Sequence, residues 1–156
     1  DAGAGLGLLK AGHTEPQALI EAYRRPQPRL DAGRVLGAHA HAMMDISDGL
    51  LIDAQRMGQA SNVAIVIDQV PISADFRALY GNSPSTLIAA ASAGDDYQLL
   101  VAWPAETPLP LGCDLLCIGR IAHGSGITLE IDGQVVELPQ RLGWQHGDPQ
   151  AQALFE

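Results

Sequence analysis

Apolar positions recur along this chain with two periods, one close to the helical repeat and one alternating as in strands. Small and apolar residues predict a first helix over about 2–11. Thr14-x-x-Gln17 has the form of a capping box and predicts a second helix through Leu19, Ile20 and Tyr23, broken by Arg24-Arg25-Pro26-Gln27-Pro28-Arg29. A short helix near 31–38 leads into a strand ending at Ile46. The run Leu50-Leu51-Ile52-Asp53-Ala54-Gln55-Arg56-Met57 then predicts a helix over about 48–60, and β-branched Val63-Ala64-Ile65-Val66-Ile67 a strand. Strand, helix and strand read as a βαβ-like unit. Pro71 and Ser73 introduce a helix near 73–80, and Ser83-Pro84 starts another through Ala91. Tyr97–Trp103 reads as a strand. Beyond a Pro-rich connection come a strand near 114–121 and a hairpin, Ile127–Ile131 with Gln134–Leu138, turning at Asp132-Gly133. Helices interspersed with a mixed sheet, without internal repeats, predict an α/β domain of the two-layer α+β kind.

The 156 residues, 47% hydrophobic, suffice for one substantial core. Nine Lys and Arg against eighteen Asp and Glu leave a net charge of −9, which argues against a nucleic-acid or anionic-membrane surface. An anionic ligand would need metal ions or a basic surface from elsewhere. There is no signal peptide and no apolar run long enough to span a bilayer, so a cytoplasmic location is expected. The chain lacks an initiating Met and begins mid-pattern at Asp1-Ala2-Gly3, as expected of a piece of a longer protein.

Candidate chemistry concentrates in Ala42-Met43-Met44-Asp45-Ile46-Ser47-Asp48-Gly49-Leu50-Leu51, where an apolar strand runs into a helix. Asp45 and Ser47 share a face of an extended segment. Asp48 and Gly49 open the helix, whose N-terminus offers N–H groups to an anion. Hard Mg²⁺ takes one or two carboxylates while phosphate oxygens supply others, so the combination suits Mg-nucleotide chemistry. The same Ser47 or Asp48 also suits simple capping. Asp45 is needed by no cap, and a carboxylate ending an apolar strand is costly unless partnered.

Other signals are weaker. Gly94-Asp95-Asp96-Tyr97 lies between a predicted helix and strand, where Gly94 can end the helix in the left-handed conformation; its acids are either solvated or positioned for a polar or cationic substrate group. Trp144, in Leu142-Gly143-Trp144-Gln145-His146, either covers the core or stacks on a flat cation. Cys113 and Cys117, four apart on one face of the expected strand, read as buried thiols. His39 and His41 read as surface residues, and with His13, His123 and His146 they assemble no catalytic triad. Gly3-x-Gly5-x-Gly7 follows no strand and reads as close helix packing rather than a dinucleotide loop.

Met43-Met44-Asp45-Ile46-Ser47-Asp48-Gly49-Leu50, Ala93-Gly94-Asp95-Asp96-Tyr97-Gln98-Leu99 and Gly143-Trp144, in this order and spacing, resemble the C-terminal half of thiamine-monophosphate kinase. The first motif is shared across the AIR-synthase-like superfamily; the other two point to the kinase. The resemblance implies a two-layer, mixed-sheet fold of the AIR-synthase C-terminal kind over 31–156, led into by a helical segment over 1–30 from an absent N-terminal domain. It also implies transfer of the γ-phosphoryl of ATP to thiamine monophosphate, with no covalent protein nucleophile. Asp45 and Asp48 would be Mg²⁺ ligands, Ser47 an ATP-phosphate contact, and Asp95 and Trp144 contacts to thiamine monophosphate. The intact enzyme would be a homodimer, and the fragment half a site without activity of its own. The family often has Glu where this chain has Asp95 and Gln98. Competing readings are another ATP-using member of the superfamily, resembling selenophosphate synthetase or a hydrogenase-maturation enzyme, and a non-catalytic carboxylate-rich binding domain.

Overall fold

A computed structural model describes residues 1–113 and 115–145, so Asp114, where the strand near 114–121 is expected to start, and His146 lie outside the described residues. The helices are α1 (Ala2–Lys10), α2 (Gln17–Arg24), α3 (Leu30–Leu36), α4 (Leu50–Ser61), α5 (Ala74–Tyr80) and α6 (Pro84–Ser92). The strands are β1 (Ala42–Ile46), β2 (Ala64–Ile67), β3 (Gln98–Ala102), β4 (Gly119–Ala122), β5 (Gly126–Ile131) and β6 (Gln134–Val136).

The class is the one the pattern predicts, but the strands divide between two sheets. β1 and β3 form an antiparallel ribbon, in which Asp45 faces Leu99 and Ile46 faces Gln98. The other four strands lie in the order β4-β2-β5-β6, with β2 and β5 parallel and the remaining pairs antiparallel. The expected βαβ-like unit is therefore absent: β1 and β2 lie in different sheets, and α4 packs against both. Apolar periodicity identifies a strand, not its partner, so the pairing was not readable locally.

Its place between two sheets explains why α4 is buried nearly all round in its first half, Leu50 through Ala54. Leu51, Ala54 and Met57 meet Ile65 and Ile67 of β2, Leu100 of β3 and Leu129 of β5 in the main core. A second cluster joins Leu8 of α1, Leu19 and Ile20 of α2, and Phe76 of α5. Helix α6 ties the two together, Ala91 facing the first and Ala90 the second. Gly5 lets α1 and α2 touch, since a Cβ there would run into the Leu19 carbonyl.

Three local expectations fail. Thr14 does not cap α2: its N-cap is Pro16, with no side-chain cap, and Glu15 accepts the Gln17 N–H instead at 2.9 Å. The strand expected near 114–121 is only β4, because Pro104, Pro108 and Pro110 with Gly112 keep the approach irregular. Cys113 is consequently half-buried and Cys117 exposed, not a buried pair on a strand face. The hairpin turn forms as predicted, with Asp132 and Gly133 both at positive φ, 52° and 74°.

Candidate functional site

Three separate segments converge where β1 enters α4. The Asp95 N–H donates to the Ser47 carbonyl at 2.9 Å and the Tyr97 N–H to the Ile46 carbonyl at 2.8 Å. From the far end of the described chain, the Trp144 N–H donates to the Asp48 carbonyl at 2.8 Å. The five residues singled out in the sequence, Asp45, Ser47, Asp48, Asp95 and Trp144, are thus carried on one backbone junction. Two glycines permit it. A Cβ on Gly94 would lie 2.5 Å from the Ser47 oxygen, and one on Gly143 would strike the Asp48 oxygen and Ile52.

Gly94 acts through this close approach and not, as expected, by ending α6 left-handed. Helix α6 stops at Ala93 in extended geometry, and the positive φ values fall on Asp95 (69°) and Tyr97 (49°). Two non-glycine residues in the left-handed region within one short turn store strain, which persists only where neighbouring structure enforces it. Here the β1–α4 junction does so.

The electrostatics are acidic. Asp45 is exposed, and the Tyr97 hydroxyl donates to Asp95 at 3.3 Å. The Asp95 charge, partial burial, that hydrogen bond, and then Asp45 and Asp48 together push the Tyr97 phenol above its ordinary value. Asp45, Asp48 and Asp95 therefore act on one point.

The backbone amides just ahead of α4 are not open to an anion: Ser47, Asp48 and Gly49 donate at 3.0, 2.9 and 3.2 Å to Oδ2 of Asp53, one turn into the helix and fully buried. Nor do Ser47 or Asp48 cap it, since the N-cap is Gly49. The other oxygen, Oδ1, accepts Arg56 Nη1 at 2.8 Å, and the same nitrogen reaches Oδ2 of Asp48. These partners hold the Arg56 guanidinium charged, its pKa raised first by the Asp48 hydrogen bond and opposed by partial burial.

Asp53 and Arg56 escaped the motif reading. A lone acid inside the apolar run Leu50–Ala54, with a cation three residues on, was the available signal: a buried carboxylate must find partners.

Asp45 and Asp48 offer hard oxygen donors in a negative field, which fits a divalent cation completing its shell from water and phosphate. Among the described residues no group of three or more His, Cys, Asp or Glu comes together as a metal site. His39 and His41 are exposed, His39 lying edge-on to Trp103 with centroids 6.2 Å apart. Trp144 is 38% exposed, so part of it is open to solvent beside the junction.

Next to the junction, a cleft of about 620 Å³ is floored by Ile46 and Leu50 and rimmed by Arg25, Arg29, Asp96 and Gln98. Gln98 accepts Arg29 Nε at 2.7 Å and donates to the Asp96 carbonyl at 3.2 Å. A glutamate could not make the second bond, so the amide here has its own structural use.

This fold and motif order place the chain in a class. It belongs to the family described as AIR synthase related protein, C-terminal domain, whose model matches residues 2–111. Within that class its relatives are thiamine-monophosphate kinases. It is 38% identical over 155 residues to the "Thiamine-monophosphate kinase" of Aquifex aeolicus (strain VF5), covering 94% of this chain and 48% of that relative. The solved structure "AaThiL complexed with AMPPCP and TMP" matches with a TM-score of 0.77 at 36% identity, over 93% of this chain and 47% of that one. The thiamine-monophosphate kinase of Stenotrophomonas maltophilia K279a matches at 33% identity with a TM-score of 0.72, over 86% of this chain and 48% of that one. The chain spans about half the length of the relatives it matches. Among the described residues no helix is long and apolar enough to cross a membrane.

Proposed function

We propose that this chain is the C-terminal half of a cytoplasmic, Mg²⁺-dependent thiamine-monophosphate kinase, homodimeric when intact, making thiamine diphosphate and ADP from thiamine monophosphate and ATP. The observation that carries the reading is the three-segment junction, because it brings a phosphate-facing motif and a candidate ring-binding tryptophan onto one hydrogen-bonded backbone. The relative complexed with AMPPCP and TMP supports the same pair of ligands. Residues 1–30 lead in from the N-terminal half, and 31–156 form the AIR-synthase-related domain.

In this reading an oxygen of the thiamine-bound phosphate attacks the γ-phosphorus of ATP, and the bond to the β-phosphate oxygen breaks, releasing ADP. No side chain forms a covalent intermediate; catalysis is alignment and charge neutralisation. Asp45 and Asp48 hold Mg²⁺, which when bound screens the crowded phosphates. Ser47 hydrogen-bonds a nucleotide phosphate, Asp95 orients thiamine monophosphate, and Trp144 covers its cationic ring.

The test is thiamine diphosphate formation by the full-length protein, together with the Trp144→Ala variant. Stacking and cation–π attraction contribute roughly 0.5–2 kcal/mol, or roughly two- to thirtyfold in affinity. Calorimetry should show that loss for thiamine monophosphate, with ATP binding nearly unchanged. Equal loss of both ligands would assign Trp144 a structural role, and absence of product from the wild type would overturn the kinase reading.

A further inference from the structure

Arg56 poses a question that the proposed function leaves open. It is a fixed cation on a carboxylate that the same reading gives to a metal. Its guanidinium is also anchored on a second carboxylate that the backbone holds in place. Asp53 is fully buried, its Oδ2 held by three backbone N–H groups and its Oδ1 turned to Arg56 Nη1 at 2.8 Å. The Arg56 side chain is 43% exposed and that of Asp48 13%, so the pair lies at the edge of the solvent. One nitrogen bridges both acids, and their charges keep it protonated at any working pH.

We propose that Arg56, anchored on Asp53, is a built-in counter-ion for Asp48 that a divalent cation must displace or share, so that this arginine sets the metal concentration at which the site fills. The inference rests on the assignment of Asp48 as a metal ligand, but its sign is its own. An orienting contact strengthens metal binding, whereas a competing cation weakens it. Two features favour competition. A monovalent cation already neutralises a ligand that Mg²⁺ uses for its charge, and its nitrogen occupies an oxygen at hydrogen-bond distance. Because Asp53 retains Arg56 after Asp48 is released, the exchange leaves no buried charge without a partner. The anchor also keeps the arginine close enough to reclaim Asp48 when the metal leaves.

The experiment measures Mn²⁺ affinity of the full-length protein, without nucleotide, for the wild type, Arg56→Gln, Arg56→Lys, Asp48→Asn and each arginine change combined with Asp48→Asn. Arg56→Gln should tighten Mn²⁺ about tenfold, the size expected for removing one nearby, partly screened charge. Arg56→Lys should lie between, since a more strongly hydrated ammonium on a flexible stem keeps the charge but is held less firmly between the two carboxylates. In the Asp48→Asn background the gain should vanish, because a double-mutant cycle isolates the pair. In the wild type, Mg²⁺ should shift the Arg56 side-chain nitrogen signals in NMR. Unchanged or weakened Mn²⁺ affinity in Arg56→Gln would overturn the proposal, as would an equal gain without the Asp48 carboxylate. If the wild type makes no thiamine diphosphate but the cycle behaves as described, the kinase reading fails and the counter-ion stands.

Discussion

Asp53 shows how far one residue can govern a site without touching a ligand. The three N–H groups it accepts belong to the residues whose spacing defines the phosphate-facing motif, so its carboxylate fixes their backbone before any ligand arrives. A buried carboxylate is tolerable only when so fully partnered. Asp53→Ala would leave three N–H groups without an acceptor in a dry place and remove one of the two Arg56 ion pairs. The expected cost is about 3–5 kcal/mol, read as a lower midpoint in urea at unchanged slope. A loss under about 1 kcal/mol would mean that water reaches these amides. By contrast, the exposed pairs Arg34–Asp31 and Arg25–Glu21, at 3.5 and 3.7 Å, lie on solvated helix faces and contribute little.

At the scale of elements, the site is the seam between β1–α4, the turn ahead of β3, and the segment around Gly143. Gly94 is one of its tight points, since all the nearest atoms an added Cβ would meet belong to the backbone of Ser47 and Asp48. Gly94→Ala should force Ser47 and Asp95 apart and break the 2.9 Å bond between them, costing about 1–3 kcal/mol by overpacking. Faster amide exchange at Asp95 and Tyr97, with β5 and β6 unchanged, is the expected signature; uniform exchange across the domain would place the strain elsewhere. These elements were legible in the sequence because each carries its own signal: Ser83-Pro84 before α6, where the Ser83 hydroxyl accepts the Thr86 N–H at 3.3 Å, or Asp132-Gly133 between β5 and β6. Their pairing was not. Nothing local in Met43-Met44-Asp45-Ile46 says that it faces Gln98–Val101 while Ala64–Ile67 joins another sheet. The candidate residues were legible as motif members, whereas Asp53 and Arg56 become visible only once α4 is known to be buried between two sheets. Cys113 and Cys117 were misplaced for the converse reason, an apolar run whose nearby prolines and glycine overrode its β-propensity.

For the whole molecule, two cores joined through α6 argue for one cooperative unit, because neither cluster can lose its packing without exposing a face of that helix. The chain should therefore melt in a single transition. Activity is a different matter. Asp45, Asp48 and Asp95 lie on one junction, but among the described residues no three His, Cys, Asp or Glu come together as a metal site, and the net charge of −9 repels a polyphosphate unless metal ions or basic groups offset it. Its relatives carry about as much chain again, and the proposal gives that other half the remaining ligands and walls of the cleft. The chain by itself should thus unfold cooperatively yet form no thiamine diphosphate from ATP and thiamine monophosphate, while the full-length protein does. A coupled assay on both, purified from a host lacking its own kinase, decides the point. Turnover by the chain alone would show that Asp45, Ser47, Asp48 and Asp95 suffice, and would replace half a site with a whole one. A silent chain that melts without a cooperative transition would instead trace the loss to folding, and only a folded, silent chain supports divided chemistry.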